Sequence, residues 1–178
     1  MFSFLDRIHP LARVPLRYGL IGGVLGFLLL VVLYYIDRHP FFIHPIFDSR
    51  IAVFGVFIVF ALRELRDYHF GGILFFWQGM FAGGVFVATF AFVCSVLLWV
   101  FALNVPDFVT QYIELATNQL KALVDQMDKE VYDVKMASLP STTAFVLAKL
   151  YFVQCLGIGL FISIIISVIL RRQPARTE

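Results

Sequence analysis

Residues that could do chemistry are few in this sequence, and their spacing forms no recognisable site. The four histidines are scattered along the chain, at His9, His39, His44 and His69. No Cys/His spacing matches a zinc site. Cys94 and Cys155 fall in apolar stretches, where cysteines behave as small apolar residues rather than as a disulfide pair. Because no phosphate-binding loop, catalytic triad or carboxylate pair is present either, we expect no catalytic residue, no cofactor, no metal and no nucleic-acid partner.

The composition indicates what kind of protein must position these residues. Of the 178 residues, 61% are hydrophobic and only 15% are charged, and the mean hydropathy is +0.88. Soluble domains are nearer half apolar and a quarter charged, so too little polar surface is available to cover a water-facing core. This excludes a soluble enzyme, a secreted disulfide scaffold and a disordered chain. We predict an all-α integral membrane protein that forms one domain over residues 1–178.

Hydropathy predicts four transmembrane helices. A spanning helix needs about 20 mostly apolar residues, and the expected spans are residues 18–36, 45–64, 81–103 and 146–170. The second is uncharged for only a short stretch, so it must begin near Pro45 and leave Asp48 and Arg50 at the interface. Residues 71–80 either lie in the interface or extend a strongly tilted third helix.

The distribution of lysine and arginine predicts the orientation. With four spans, one side carries eight cations: Arg7, Arg13, Arg17, Arg63, Arg66, Arg171, Arg172 and Arg176. The opposite side carries five: Arg38, Arg50, Lys121, Lys129 and Lys135. Because positive loops stay in the cytoplasm, both termini are predicted to be cytoplasmic.

The one long polar segment, before the fourth span, predicts an extracytoplasmic amphipathic helix over residues 106–136. It opens with Asn104-Val105-Pro106-Asp107, a typical helix start, and its apolar residues then recur every three or four positions. The apolar face either packs on the spans and the lipid headgroups or docks another subunit, for which Leu120, Leu123 and Met127 are the candidate contacts. Its excess of acids disfavours attraction to anionic lipid.

Small residues mark the expected helix contacts within the bilayer. The glycines concerned are Gly19, Gly22, Gly23 and Gly26 in the first span, with Gly79 and Gly83 entering the third. Spacings of three and four residues place the first set on one face, where helix backbones can approach closely. These faces either pack within the monomer or form a contact with a second copy or a partner helix.

Polar residues near the spans offer a few further candidates. Lys149 is expected to extend its ammonium group to the headgroups, and Gln154 to bond a neighbouring helix. Together they could instead line a polar groove. Arg63 and Arg66 lie in the turn after the second span, which is either a solvated turn or a partner contact.

Three motifs carry a family resemblance: Arg17-Tyr-Gly-Leu-Ile-Gly-Gly23, the turn Phe60-Ala-Leu-Arg-Glu-Leu-Arg-Asp67 followed by Gly71-Gly72, and Asn104-Val-Pro-Asp-Phe108. Together they resemble a family of small bacterial membrane proteins, the domain of unknown function DUF4199. The resemblance implies four membrane helices with a long loop before the last, and it implies no activity. Family members often carry a lysine after the double glycine, where this chain has Gln78-Gly79-Met80, so no role of that lysine transfers.

Taken together, these patterns predict a non-catalytic protein of the bacterial inner membrane. It would be an accessory or structural subunit of a membrane complex, in contact with the lipid bilayer and with another membrane protein or a second copy of itself. The alternative is a small oligomeric transporter or lipid-handling protein that uses the groove of Lys149 and Gln154.

Overall fold

The computed structural model describes residues 9–43 and 48–173, without the side chain of Ser49. The long helices are α1 (Pro10–Tyr35), α2 (Ser49–Glu64), α3 (Phe76–Asn104), α4 (Pro106–Ala122), α5 (Lys129–Ser138) and α6 (Ala144–Leu170). Short turns of 3-10 helix lie at Pro40–Phe42, Val124–Gln126 and Leu139–Ser141, and a π-helical turn, Leu65–His69, follows α2. Within the described ranges the only β pairing is an isolated bridge between Leu74 and Arg172. The predicted all-α class is confirmed.

Three helices are long and apolar enough to cross a membrane, which supports a membrane protein. They are α1, α3 and α6, with 26, 29 and 27 residues, and an 18-residue window in each has a mean hydropathy of 2.2, 2.5 and 2.6 respectively. At about 1.5 Å per residue each exceeds the hydrocarbon thickness of roughly 30 Å. The second expected span is shorter than predicted, because α2 begins at Ser49, where the Asp48 carboxylate caps the helix by accepting from the Arg50 amide at 2.9 Å. Residues 45–47 of that span lie outside the described residues.

The long helices form a bundle with α3 at its centre. α3 packs along α1 on one side and along α6 on the other, while α2 contacts α1 and α6. Phe54, Phe86 and Phe90 are fully buried where α2 meets α3. We call the end where α1 begins the terminal end, and the end where α1 finishes the hairpin end, because α4 and α5 lie there.

The turn between α2 and α3 shows why a double glycine is needed. Gly71 and Gly72 have φ angles of +59° and +85°, a region that other residues rarely adopt. The reversal lets Leu74 exchange backbone hydrogen bonds with Arg172, at 3.0 and 2.8 Å. α3 begins at Phe76, so residues 76–80 extend the third helix and residues 71–75 form a loop, an outcome intermediate between the two expectations.

The predicted amphipathic helix over residues 106–136 is divided into α4 and α5. The break falls at residues 123–128, where Asp125 and Asp128 lie. Aspartate side chains compete for backbone groups, which disfavours them inside a helix and favours them at its start. α5 therefore begins after Asp128, with Glu130 in its positively polarised first turn. The two helices form a hairpin, which we define as residues 106–138.

Candidate functional site at the hairpin end

The glycine face of α1 is covered by α3 of the same chain. A Cβ atom on Gly19 would lie 2.7 Å from the Thr89 Cβ and 2.9 Å from the Phe86 carbonyl oxygen. One on Gly23 would lie 2.9 Å from the Val93 Cβ. Gly22 and Gly26 face the rings of Phe86 and Phe90. At Gly19, Gly23 and Gly26 a Cβ would come closer than 3.0 Å to α3, and all four glycines pack within the monomer.

The glycines of α3 meet a row of small residues on α6. Gly83 faces Ser163, and a Cβ on Gly79 would lie 2.9 Å from the Ser167 Oγ. Both serines are fully buried, and their hydroxyls have no partner among the described residues, so they act as small packing residues. Sequence reasoning missed this row, which also includes Gly159 against Val87. The signal was available, since small residues recur every four positions from Cys155 to Ser167.

A buried ion pair lies beside α6 near the start of α2. The Arg50 Nε donates to both carboxylate oxygens of Asp48 at 2.9 and 2.8 Å, and the Arg50 Nη1 donates to the Gln154 Oε1 at 3.1 Å. The side chains of Arg50 and Asp48 are only 11% and 12% exposed. The pair was expected at the membrane interface, whereas Gln154 lies ten residues into α6, about 15 Å along its axis.

Side chains from three described residues contact the Arg50 guanidinium. The Arg50 guanidinium lies 4.9 Å from the centroid of the Tyr151 ring, and the Phe41 ring lies 5.7 Å from the same ring. A buried charge is tolerated only when it is paired and its donors are used. Since Asp48, Gln154 and Tyr151 engage Arg50 together, the group joins α2 to α6.

An aromatic cluster around His39 attaches the hairpin to the bundle. His39 is 7% exposed, and its ring lies 4.7, 5.6 and 5.8 Å from the rings of Phe108, Phe42 and Tyr112. Its Nε2 lies 3.2 Å from the Phe108 carbonyl oxygen, and its Nδ1 accepts from the Phe41 amide at 3.4 Å. A neutral imidazole protonated on Nε2 satisfies both contacts. Burial lowers the pKa of His39 below 6.5, which favours that neutral form.

The three predicted partner-contact residues of the hairpin are brought together. Leu120, Leu123 and Met127 line one groove of about 380 Å³ between α4 and α5. Lys135 and Leu139 complete the far wall of this groove. One part of the apolar face of the hairpin therefore lies between α4 and α5, and the other part is exposed. Outside the groove the hairpin exposes Leu115, Val124, Val131 and Val134.

Lys149 and Gln154 do not share a groove. Five residues apart on α6, they lie on different faces, since each residue turns the helix by about 100°. Gln154 contacts Arg50, whereas Lys149 lines a separate groove beside Trp99. The polar groove of the alternative hypothesis is therefore not formed. Within the described ranges no three His, Cys, Asp or Glu side chains are arranged to hold a metal ion.

At the terminal end the two candidate arginines have different surroundings. Arg66 pairs with its neighbour Asp67, the Nε and Oδ1 lying 2.7 Å apart, and Arg63 is exposed.

The contact of Glu64 with α1 was not predicted from the sequence. The Glu64 carboxylate accepts from Arg17 at 2.7 and 2.8 Å and from the Tyr18 hydroxyl at 2.8 Å, which joins α2 to α1.

A comparison with known protein families matches nearly the whole of the described bundle. The model of one protein family matches residues 17–172, which is nearly the whole chain. The chain belongs to DUF4199, a family described as "Protein of unknown function". No curated protein and no solved structure shows significant similarity to it. The DUF4199 match begins within α1 and ends just after α6, so it includes all six helices except the first seven residues of α1.

Proposed function

We propose that this DUF4199 chain is a four-span protein of the bacterial inner membrane that has no catalytic activity and serves as an accessory subunit of a membrane complex. The fourth crossing in this proposal is made by α2. The π-helical turn prolongs α2 to His69, which gives 21 helical residues and a length of about 31 Å. That length is close to the hydrocarbon thickness of roughly 30 Å.

The proposed orientation has both termini in the cytoplasm and the hairpin outside. Its support is the excess of arginines at the terminal end, where Arg63, Arg66 and Arg172 lie close to one another along the chain turn and its bridge to α6. On the opposite end, only Arg38 and Arg50 lie next to the spans, and the three lysines lie farther along the hairpin. Positive charge retained near the ends of spans favours the cytoplasmic side.

The observation that carries the proposal is the uncovered apolar surface of the hairpin. Val134 is 66% exposed, Val131 43% and Leu123 41%. The glycine faces, by contrast, are filled by contacts within the chain, so they offer no surface to a partner. Large apolar side chains clustered on a polar segment outside the bundle are typical of a protein contact.

The charge of the hairpin indicates the chemistry of the partner. Its acids are Asp107, Glu114, Asp125, Asp128, Glu130 and Asp133, and its lysines are Lys121, Lys129 and Lys135. This net negative charge disfavours adsorption to anionic lipid. It suits an extracytoplasmic segment of another membrane protein that has an apolar face flanked by basic residues.

The test replaces both exposed valines of α5 by glutamate, Val131→Glu with Val134→Glu, in the full chain. Its matched control places glutamate at two exposed polar positions, Asn118→Glu with Gln126→Glu, which adds as many charges to the same hairpin. A photo-crosslinking residue at Tyr132 reports what lies against α5. We expect one stoichiometric companion that is cross-linked through an extracytoplasmic segment, lost in the valine variant and retained in the control.

Two results would contradict the proposal. One is a companion that survives the valine substitutions unchanged. The other is a cross-link only to lipid or to a second copy of this chain, because either would mean that the hairpin binds no separate subunit. Size-exclusion chromatography in mild detergent verifies that the variants stay monodisperse.

A further inference from the structure

A groove between α3 and α6 opens toward the lipid near the hairpin end. It has a volume of about 210 Å³, and apolar side chains form nearly all of its wall. The lining residues include Phe92, Val96 and Trp99 on α3 and Phe145, Ala148 and Phe152 on α6. The rings of Trp99 and Phe145 meet edge to face at 6.3 Å and form its outer rim. Its apolar wall suits an acyl chain rather than a polar solute.

One charged group at this groove has no partner among the described residues. Lys149, at the rim, is the only charged residue of α6, and no ion pair or hydrogen bond engages its ammonium group. Ser95 also lines the groove, but its Oγ is buried, so it acts as a small packing residue like Ser163 and Ser167. An ammonium group beside an apolar, lipid-facing groove suits an anionic lipid headgroup.

We propose that this groove binds one anionic glycerophospholipid of the surrounding bilayer. The Lys149 ammonium pairs with the headgroup phosphate. One acyl chain then lies between Phe92 and Phe152. The inference is independent of the accessory role, since it needs only that α3 and α6 lie in a membrane.

The depths of Lys149 and of the apolar wall match the order of groups in such a lipid. Lys149 lies five residues from the start of α6 and Trp99 five residues from the end of α3, about 7.5 Å from each helix end. Phe152 and Phe92 lie deeper, about 12 Å from the start of α6 and about 18 Å from the end of α3. The cation is therefore at the level of a headgroup, and the rings are at the level of an acyl chain. Tryptophan at the rim is typical of the interfacial level.

Trp99 itself can report the lipid. The sequence holds two tryptophans, so Trp77→Phe leaves Trp99 as the single fluorophore. The protein is reconstituted in phosphatidylcholine vesicles with increasing phosphatidylglycerol, and one of the two lipids carries brominated, quenching acyl chains. We expect brominated phosphatidylglycerol to quench Trp99 with an apparent affinity about fivefold above that of brominated phosphatidylcholine, the factor that corresponds to about 1 kcal/mol for one lysine near the surface.

Three variants test whether Lys149 causes the preference for phosphatidylglycerol over phosphatidylcholine. Lys149→Gln should reduce the ratio of the two affinities to about one, whereas Lys149→Arg should keep most of it. Lys121→Gln removes a cation from the hairpin, outside the groove, and should leave the ratio unchanged. Equal quenching by both lipids in the parent protein would overturn the proposal, and so would a preference that survives Lys149→Gln. Reversal of the preference by excess inorganic phosphate would also overturn it, because phosphate brings no acyl chain.

Discussion

Substituting Gly19 by alanine should separate α1 from α3, although it adds only one methyl group. The new Cβ would lie 2.7 Å from the Thr89 Cβ and 2.9 Å from a backbone oxygen of α3. Carbon atoms pack at about 3.5–4.0 Å, so the helices must part by about 1 Å along this face. The obstacle includes backbone, which a change of side-chain rotamer cannot relieve.

The magnitude follows from two opposed effects. Overpacking of a well-filled contact typically costs about 1–3 kcal/mol. Replacing glycine by alanine within a helix favours the helix by about 1 kcal/mol, and this gain applies to any helical glycine. Gly84→Ala on α3 is therefore the matched control, because a Cβ there meets nothing within 4 Å. The difference between the two variants isolates the packing effect, expected at about 1–3 kcal/mol or roughly a 5- to 150-fold change in the unfolding equilibrium.

The assay is reversible unfolding in mixed micelles with increasing sodium dodecyl sulfate, followed by tryptophan fluorescence. Gly19→Ala should unfold at a lower detergent fraction than the parent, and Gly84→Ala at an equal or higher one. If the two variants have the same unfolding free energy, the close contact of α1 with α3 does not exist in the membrane-embedded protein, and the reasoning is refuted.

Three further predictions concern the ion pair, the imidazole and the turn. Arg50→Met should lower the unfolding free energy by about 3–5 kcal/mol, because it leaves the Asp48 carboxylate buried without a counter-charge; the double variant with Asp48→Asn should recover part of the loss in the same micelle assay, and a single variant as stable as the parent would contradict it. The folded-state pKa of His39 is lower than its unfolded value of 6.5, so the unfolded state binds more protons below that value and stability declines as the pH falls through it. The amides of residues 107–112 should therefore lose protection, measured relative to the intrinsic exchange rate at each pH, on acidification in the parent and not in His39→Gln, whereas equal pH dependence of the protection in both would exclude His39 as the cause. Gly72→Ala should cost about 1–2 kcal/mol, because the φ angle of +85° is unfavourable for a residue with a Cβ; Gly71→Ala, at +59°, should cost less in the same measurement.

Much of the bundle was predictable from the sequence because hydropathy and spacing are local signals. The length of each apolar run predicted α1, α3 and α6, and the spacing of Gly19, Gly22, Gly23 and Gly26 predicted one face. Spacing does not identify which helix covers a face, so the pairing with Thr89 and Val93 needed the structure. The row from Gly159 to Ser167 was equally visible, but serine was not considered together with glycine as a small residue.

The candidate site was less predictable because it depends on contacts between distant parts of the chain. Arg50 and Gln154 are separated by 104 positions, and no local pattern joins them. The break between α4 and α5 was not predicted because a local preference overrides the periodic pattern there. The apolar period continues through Val124 and Met127, whereas the local preference of Asp125 and Asp128 interrupts the helix.

The middle of the bundle and its hairpin end are packed in different ways. Along most of α1, α3 and α6, glycine and serine bring the backbones close together, which fixes the spacing of the helices. At the hairpin end, aromatic rings fill the space between the elements, and Phe41 contacts His39, Tyr112 and Tyr151. Rings can slide and tilt against one another without breaking a helix. We therefore expect the rings around Phe41, and not the glycine-packed helices, to adjust when the hairpin shifts.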